Sequence, residues 1–218
     1  MSKASLVQDA LRQAIIQLQL PPGSRLDKAV MCAQFGVSRQ PVSDALARLV
    51  EERLVEVEPQ KGTFVARIRL SDVMEAAFVR QALEAETARA IAVSIDQPTL
   101  LSLERSFAYQ EAAKARDDAE GFYEFDLQFH RVLYDRLAFR QVVDMIDLSR
   151  GQLERARRML LPRSGRLDAT LREHRQIIDA LETKDADASA AAMRQHIQAV
   201  SAEIRNFARE RPDLFEPE

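Results

Sequence analysis

Apolar positions recur at helical spacing along most of the chain. Over 5–19 (SLVQDALRQAIIQLQ), residues Leu6, Ala10, Leu11, Ala14, Ile15 and Leu18 share one helical stripe. Pro21-Pro22-Gly23 ends that helix. A short helix is predicted over 27–35 and is broken at Gly36. Ser38 is then suited to cap a helix over 39–52, with Val42, Leu46 and Leu49 as its core face. Two β-rich runs follow, Leu54–Glu58 and Thr63–Ile68, around the turn Pro59-Gln60-Lys61-Gly62. Helix, helix, tight turn, helix and β-hairpin within 70 residues outline a winged helix-turn-helix.

Beyond Leu70 the pattern changes to long helices. Six are predicted: from a Ser71-Asp72 cap to 94, from Pro98 to 116, over 122–137, 139–160, 167–183 and 186–209. No proline falls between Thr99 and Leu161 or between Arg163 and Arg211. Six helices of this length can enclose an interior. The fold class is therefore mainly α. Its predicted parts are a winged helix-turn-helix over 1–70 and a six-helix bundle over 71–218. The aromatic stripe Phe122, Phe125 and Phe129 belongs to the bundle core by its spacing.

Composition narrows the class. Of 218 residues, 46% are hydrophobic and 30% charged, which is ordinary for a globular protein and excludes long disorder. Cys32 is the only cysteine, so an intrachain disulfide and a four-cysteine zinc site are both excluded. Lys3, Asp9 and Arg12 interrupt the apolar stretch that a signal peptide needs, and no apolar run is long enough to span a bilayer. A cytoplasmic protein without membrane contact is expected. The net charge of −3 is uneven: residues 1–70 carry 10 basic and 7 acidic side chains, and the remainder 21 and 27. A basic front and an acidic rear suit two units with different partners.

The segment Gly36-Val37-Ser38-Arg39-Gln40-Pro41-Val42-Ser43-Asp44-Ala45-Leu46 carries the first functional signal. With Pro22-Gly23-Ser24-Arg25-Leu26 before it and Gly62-Thr63-Phe64-Val65 after it, the chain resembles the GntR family of bacterial transcription regulators over about 10–68. The chemistry fits such a role. A helix opening on Ser38 and Arg39 offers its positive end to phosphate. Arg39 can read guanine bidentately in the major groove. Ser38 and Gln40 can hold phosphates and set register. Lys61 and Gly62 form a wing tip that can reach the neighbouring groove, with Lys28 and Ser43 completing the face. The family often has arginine where Ser43 and Ala29 stand, so a weaker or altered operator preference is expected.

The rear half carries the second signal. Asp126 and His130 lie one helical turn apart, and His174 and His196 sit at equal distances from a turn near Asp185. If they converge, they form an N3O site suited to zinc, nickel, manganese or iron(II). Three unrelated histidines on helix surfaces or in the core are the alternative. The region 71–207 is similar to the FCD ligand-binding domain of the FadR-type branch. That resemblance implies this ligand set, with zinc foremost, and a small organic acid completing the coordination. It also implies Arg80, within Arg80-Gln81-Ala82-Leu83-Glu84, as an effector contact; a surface ion pair with Glu84 is the alternative. Arg150 could serve similarly, although Arg150, Arg155, Arg157 and Arg158 read more readily as a solvated face. A homodimeric, effector-responsive repressor binding near-palindromic DNA is expected. Direct metal sensing is the second reading, and an all-α metalloenzyme the third. Neither HExxH nor paired Glu-x-x-His is present to support the last.

Overall fold

The computed structural model describes residues 2–217 apart from 161, 162 and 164, and omits the side chains of 148–150. The front unit opens with α1 (Lys3–Ile16), whose Val7, Leu11 and Ile15 are buried. Strand β1 (Arg25–Leu26) precedes α2 (Lys28–Phe35), which Asp27 caps through the Ala29 and Val30 amides. Gly36 closes α2 in the left-handed conformation (φ 62°), a position where a Cβ would be strained. α3 (Arg39–Glu51) buries Val42, Ala45, Leu46 and Leu49 against α1.

Strands β2 (Val55–Glu58) and β3 (Gly62–Val65) form the wing, and the antiparallel order is β1-β3-β2. The sequence pattern misses β1, because two residues are too few to show a period. It also runs the second wing strand too far. Ala66 ends the ladder, and Ile68 instead packs into the rear unit, bridging Phe215 in parallel.

The six rear helices are α4 (Leu70–Ala92), α5 (Gln97–Ala115), α6 (Ala119–Leu137), α7 (Arg140–Leu160), α8 (Arg166–Glu182) and α9 (Ala186–Glu210). A single 3-10 turn, Pro212–Leu214, follows. Several caps differ from expectation. α4 starts one residue ahead of Ser71, after Arg69. α6 starts three residues ahead of the predicted 122, capped by Asp118, so Gly121 lies in its first turn. The predicted stop of α7 at Leu161-Pro162 lies outside the described residues.

α4 packs along α9 and across α7, α5 pairs with α6, and α8 with α9. One core joins Ala88, Ile91, Leu103, Phe129, Leu133, Ile177, Leu181 and Met193. A second joins Ile68, Val73, Leu153, Leu160, Ile204, Phe207 and Phe215 nearer the front unit. Phe122 and Phe129 are buried, whereas Phe125 is half-buried against Tyr109 (ring centroids 4.8 Å). No helix among the described residues is long and apolar enough to cross a membrane.

Candidate functional site: a buried histidine–aspartate cluster beneath a winged helix

The exposed face of the front unit follows from the amphipathicity of α3. Its apolar side is spent on the core, which leaves Arg39, Gln40 and Asp44 exposed and Ser43 half-buried. Gln40 Nε2 donates to Asp44 Oδ1 at 2.7 Å, and Lys28 Nζ reaches Ser43 Oγ at 3.5 Å across the α2–α3 corner. Ser38 occupies the cap position, but its hydroxyl makes no cap bond, contrary to the capping expected from sequence. Lys61 is exposed at the wing tip and pairs with Glu58 at 2.7 Å, which raises its pKa. Gly62 has φ 134°, and a Cβ there would stand 3.4 Å from Arg25 Nε. Arg25, on β1, thus joins the basic wing edge. Sequence reasoning missed this because it did not see the strand that carries Arg25.

In the rear unit, Asp126 and His130 point inward from one face of α6, His174 from α8 and His196 from α9. Their ligand atoms all lie within 4.8 Å of one another, and all four side chains are buried. The imidazole centroids are 4.8–5.5 Å apart. Phe129 stacks on His174 at 4.0 Å and walls the cluster from solvent.

The surroundings fix which nitrogen faces inward. Gln110, fully buried on α5, donates Nε2 to Phe125 O at 3.2 Å. Its Oε1 is thereby turned to accept from His174 Nδ1 at 2.8 Å. Glu173 Oε2 accepts from His196 Nδ1 at 2.8 Å. Acceptor-only partners assign the proton of both rings to Nδ1 and turn the lone pair of Nε2 inward. Glu84 Oε2 lies 2.8 Å from His130 Nδ1, a close contact without hydrogen-bond alignment. His174 Nε2 and both His130 nitrogens are buried without a hydrogen-bond partner among the described residues. A carboxylate or carbonyl behind each imidazole is the usual support of a metal-ligating histidine. Orphaned Nε2 atoms beside an aspartate fit a divalent ion.

Charge is balanced closely around the cluster. Arg157 Nη2 donates to Asp126 Oδ2 at 2.5 Å, while Asp126 Oδ1 stands 3.6 Å from His174 Nε2. Burial by itself raises the Asp126 carboxyl, but the charge around it, the Arg157 guanidinium foremost, holds it well below the usual carboxylate range. Burial and the neighbouring imidazoles push His174 and His196 far below the ordinary histidine value. Both rings are therefore neutral and able to ligate.

The expectation for Arg80 changes. It is buried in the bundle and pairs with Glu84 one turn along α4. The ion pair is internal, not the surface pair that formed the alternative. The solvated face expected of the arginine run is also overturned: Arg155, Arg157 and Arg158 are all buried. Arg158 pairs with Glu120 and Glu124 and stacks over Tyr123 at 4.2 Å. The Arg150 side chain lies outside the described residues. Beside Asp126 is a cavity of about 20 Å³, lined among others by Tyr123, Arg157, Arg166 and Thr170.

The bacterial GntR regulatory-protein model matches residues 3–65, and the FCD-domain model matches residues 75–199. The HTH-type transcriptional repressor RspR of Escherichia coli K12 is 33% identical over 208 residues, 95% of this chain and 91% of that one. An HTH-type regulator of Streptomyces ambofaciens is 33% identical over 205 residues, covering 94% and 86%. In fold, the chain is similar to a GntR transcriptional regulator from Rhodococcus sp. RHA1, with TM-score 0.78, 24% identity and coverage of 94% and 99%. These relatives are regulators rather than enzymes, as the absence of a metalloenzyme motif suggested. The chain belongs to the GntR family of bacterial regulatory proteins, in its FCD-domain branch, and is a DNA-binding transcription regulator.

Proposed function

We propose that this regulator is a metal-containing repressor whose operator affinity answers to a small carboxylate in the rear bundle. One observation carries the reading: His174 and His196 have Nδ1 held by Gln110 and Glu173, which leaves Nε2 for a shared ion. In this reading Asp126, His130, His174 and His196 hold a divalent metal. Three imidazoles and one carboxylate suit zinc first, with nickel, manganese or iron as competitors. The ion supplies open coordination positions that a carboxylate can fill. Arg157 and Arg166, which flank the cavity beside Asp126, join Arg80 and Arg150 as the arginines that would meet such an anion.

Residues 1–70 form the DNA-binding unit in this reading, and 71–218 the effector and dimerisation unit. Arg39 reads bases. Ser38, Gln40, Ser43, Lys28, Lys61 and Gly62 position the front unit on the duplex. Two copies read a near-palindromic site, since one recognition helix contacts too few base pairs for operator specificity. An effector then works by binding the DNA-competent and incompetent states unequally.

Elemental analysis of the purified chain tests the metal. About one ion per chain in the wild type, lost in the Asp126→Ala/His174→Ala variant, is expected of such a site. No ion after loading with zinc, nickel and manganese overturns it. A second reading, direct metal sensing, is favoured by one specific feature. The 20 Å³ cavity holds a water-sized ligand and little more. Operator binding that follows free metal, and is indifferent to added organic acids, selects that reading.

A further inference from the structure

Helix α7 lies between the cluster and the front unit, and it grips both. On one side, Gln152 Nε2 donates to Arg53 O at 2.7 Å, and Arg155 Nη2 to Ala66 O at 2.5 Å. Arg155 Nη1 also donates to Gln152 Oε1 at 3.0 Å, which ties the two side chains together. On the other side, Arg157 holds Asp126. Residues 155 and 157 are about 200° apart around a helix, so their side chains leave α7 in opposite directions.

The two gripped carbonyls are not arbitrary. Arg53 follows the C-terminus of α3 and has φ 57°, a left-handed conformation that a residue with a Cβ keeps only under constraint. Ala66 ends the wing, and its amide donates to Leu54 O at 3.0 Å. Together they form the root where the recognition helix meets the wing. Arg155 is fully buried, and no carboxylate pairs with it among the described residues. A buried cation resting on two neutral acceptors is a poor source of stability, since an apolar side chain of similar size is often as stable or more so. Its value lies in position.

We propose that Gln152 and Arg155 are positioning residues through which α7 couples the state of Asp126 to the set of the recognition helix and wing. Arg157 holds α7 against the cluster through one shared carboxylate. When that carboxylate is engaged elsewhere, α7 loosens at Arg157, and the grip on Arg53 and Ala66 loosens with it. The inference rests on the metal reading above for its trigger, but the mechanical link exists without metal.

Hydrogen exchange on the full-length chain tests the link, read in peptides spanning 53–57 and 65–68. In metal-free protein, Asp126→Asn should speed exchange there about threefold or more. Peptides around Leu133 and Ile177 serve to correct for global destabilisation. In Arg155→Met the same peptides should already exchange fast, and adding Asp126→Asn should change them no further. Gln152→Leu replaces Arg155→Met if the latter does not fold. Unchanged exchange in Asp126→Asn, or independent additive effects in the double variant, overturns the coupling. Zinc separates this inference from the reading beneath it. Zinc uptake by the wild type without faster exchange at 53–57 and 65–68 overturns the coupling and leaves the metal site standing. Absence of uptake overturns the metal site, and the metal-free arm then decides the coupling alone.

Discussion

Gln110 offers the sharpest test of how the cluster is built, because it touches no ligand position and acts through His174 alone. Its side chain is fully buried between one donor and one acceptor, with Oε1 accepting from His174 Nδ1 at 2.8 Å and Nε2 donating to Phe125 O at 3.2 Å. Gln110→Leu keeps the volume and removes both bonds. Phe125 O keeps the Ser106 hydroxyl at 2.7 Å, so the backbone side loses little. His174 loses the one hydrogen bond it makes among the described residues, and its Nδ1–H is left unpaired in the interior at a cost of about 1–3 kcal/mol. The ring is then free to turn or change tautomer. Loss of such an orienting partner weakens metal binding about 10–100-fold, or about 1.4–2.8 kcal/mol. Competition for zinc against a chromophoric chelator measures this directly. Gln110→Glu retains an acceptor at the same place and should bind at least as tightly as the wild type. If Gln110→Leu folds and binds within about threefold of the wild type, Gln110 does not orient a ligand and the tautomer argument fails.

Four further outcomes are expected. In metal-free protein, burial holds His174 and His196 neutral, while the unfolded chain protonates them below about 6.5. The unfolded state binds more protons there, so each ring removes up to about 1.4 kcal/mol of stability per pH unit as pH falls below that value. Denaturant melts between pH 7.5 and 5.5 should show this decline, and a flat profile would contradict neutral buried rings. Arg39→Ala should weaken operator binding by about 1–3 kcal/mol and relax the preference at one position per half-site. Lys61→Ala should instead reduce the slope of log affinity against log salt by about 0.9, as for a lost phosphate contact. Fluorescence anisotropy over a salt series separates the two roles. Ala138 ends α6 in the left-handed region at φ 57°, so Ala138→Gly should raise stability by about 1 kcal/mol in a denaturant melt.

Legibility in the sequence tracked the physical range of each interaction. Helical periodicity is a local property, and it located the nine α-helices of the described residues to within a few residues. The two-residue strand β1 has no period to detect and is defined only by its pairing with Phe64 and Thr63. The four clustered residues were also legible. Asp126 and His130 are one turn apart, and α8 and α9 return antiparallel about a turn centred between His174 and His196. Their partners were not. Gln110 and Glu173 look like ordinary polar positions on amphipathic helices, and only tertiary packing aims them at Nδ1.

The arginines show the same limit more sharply. A run of Arg155, Arg157 and Arg158 near a helix end has the sequence signature of a solvated, dipole-compensating face. Each is buried because a distant segment supplies its acceptor: the Ala66 carbonyl for Arg155, Asp126 for Arg157, Glu120 and Glu124 for Arg158. Sequence patterning assigns cost to a buried charge without knowing what meets it, and so places the charge outside. Burial of all three on α7 means that much of this helix's attachment is electrostatic on both flanks, whereas α8 and α9 add to their Arg166–Glu203 and Glu173–His196 contacts an apolar seam of Ile177, Ile178, Leu181 and Met193. Apolar contacts hardly respond to a change of charge nearby, but an arginine shared with a ligand carboxylate does. Of the rear helices, α7 is therefore the one whose packing a charged ligand at Asp126 would disturb most, and it is also the one that holds the root of the wing.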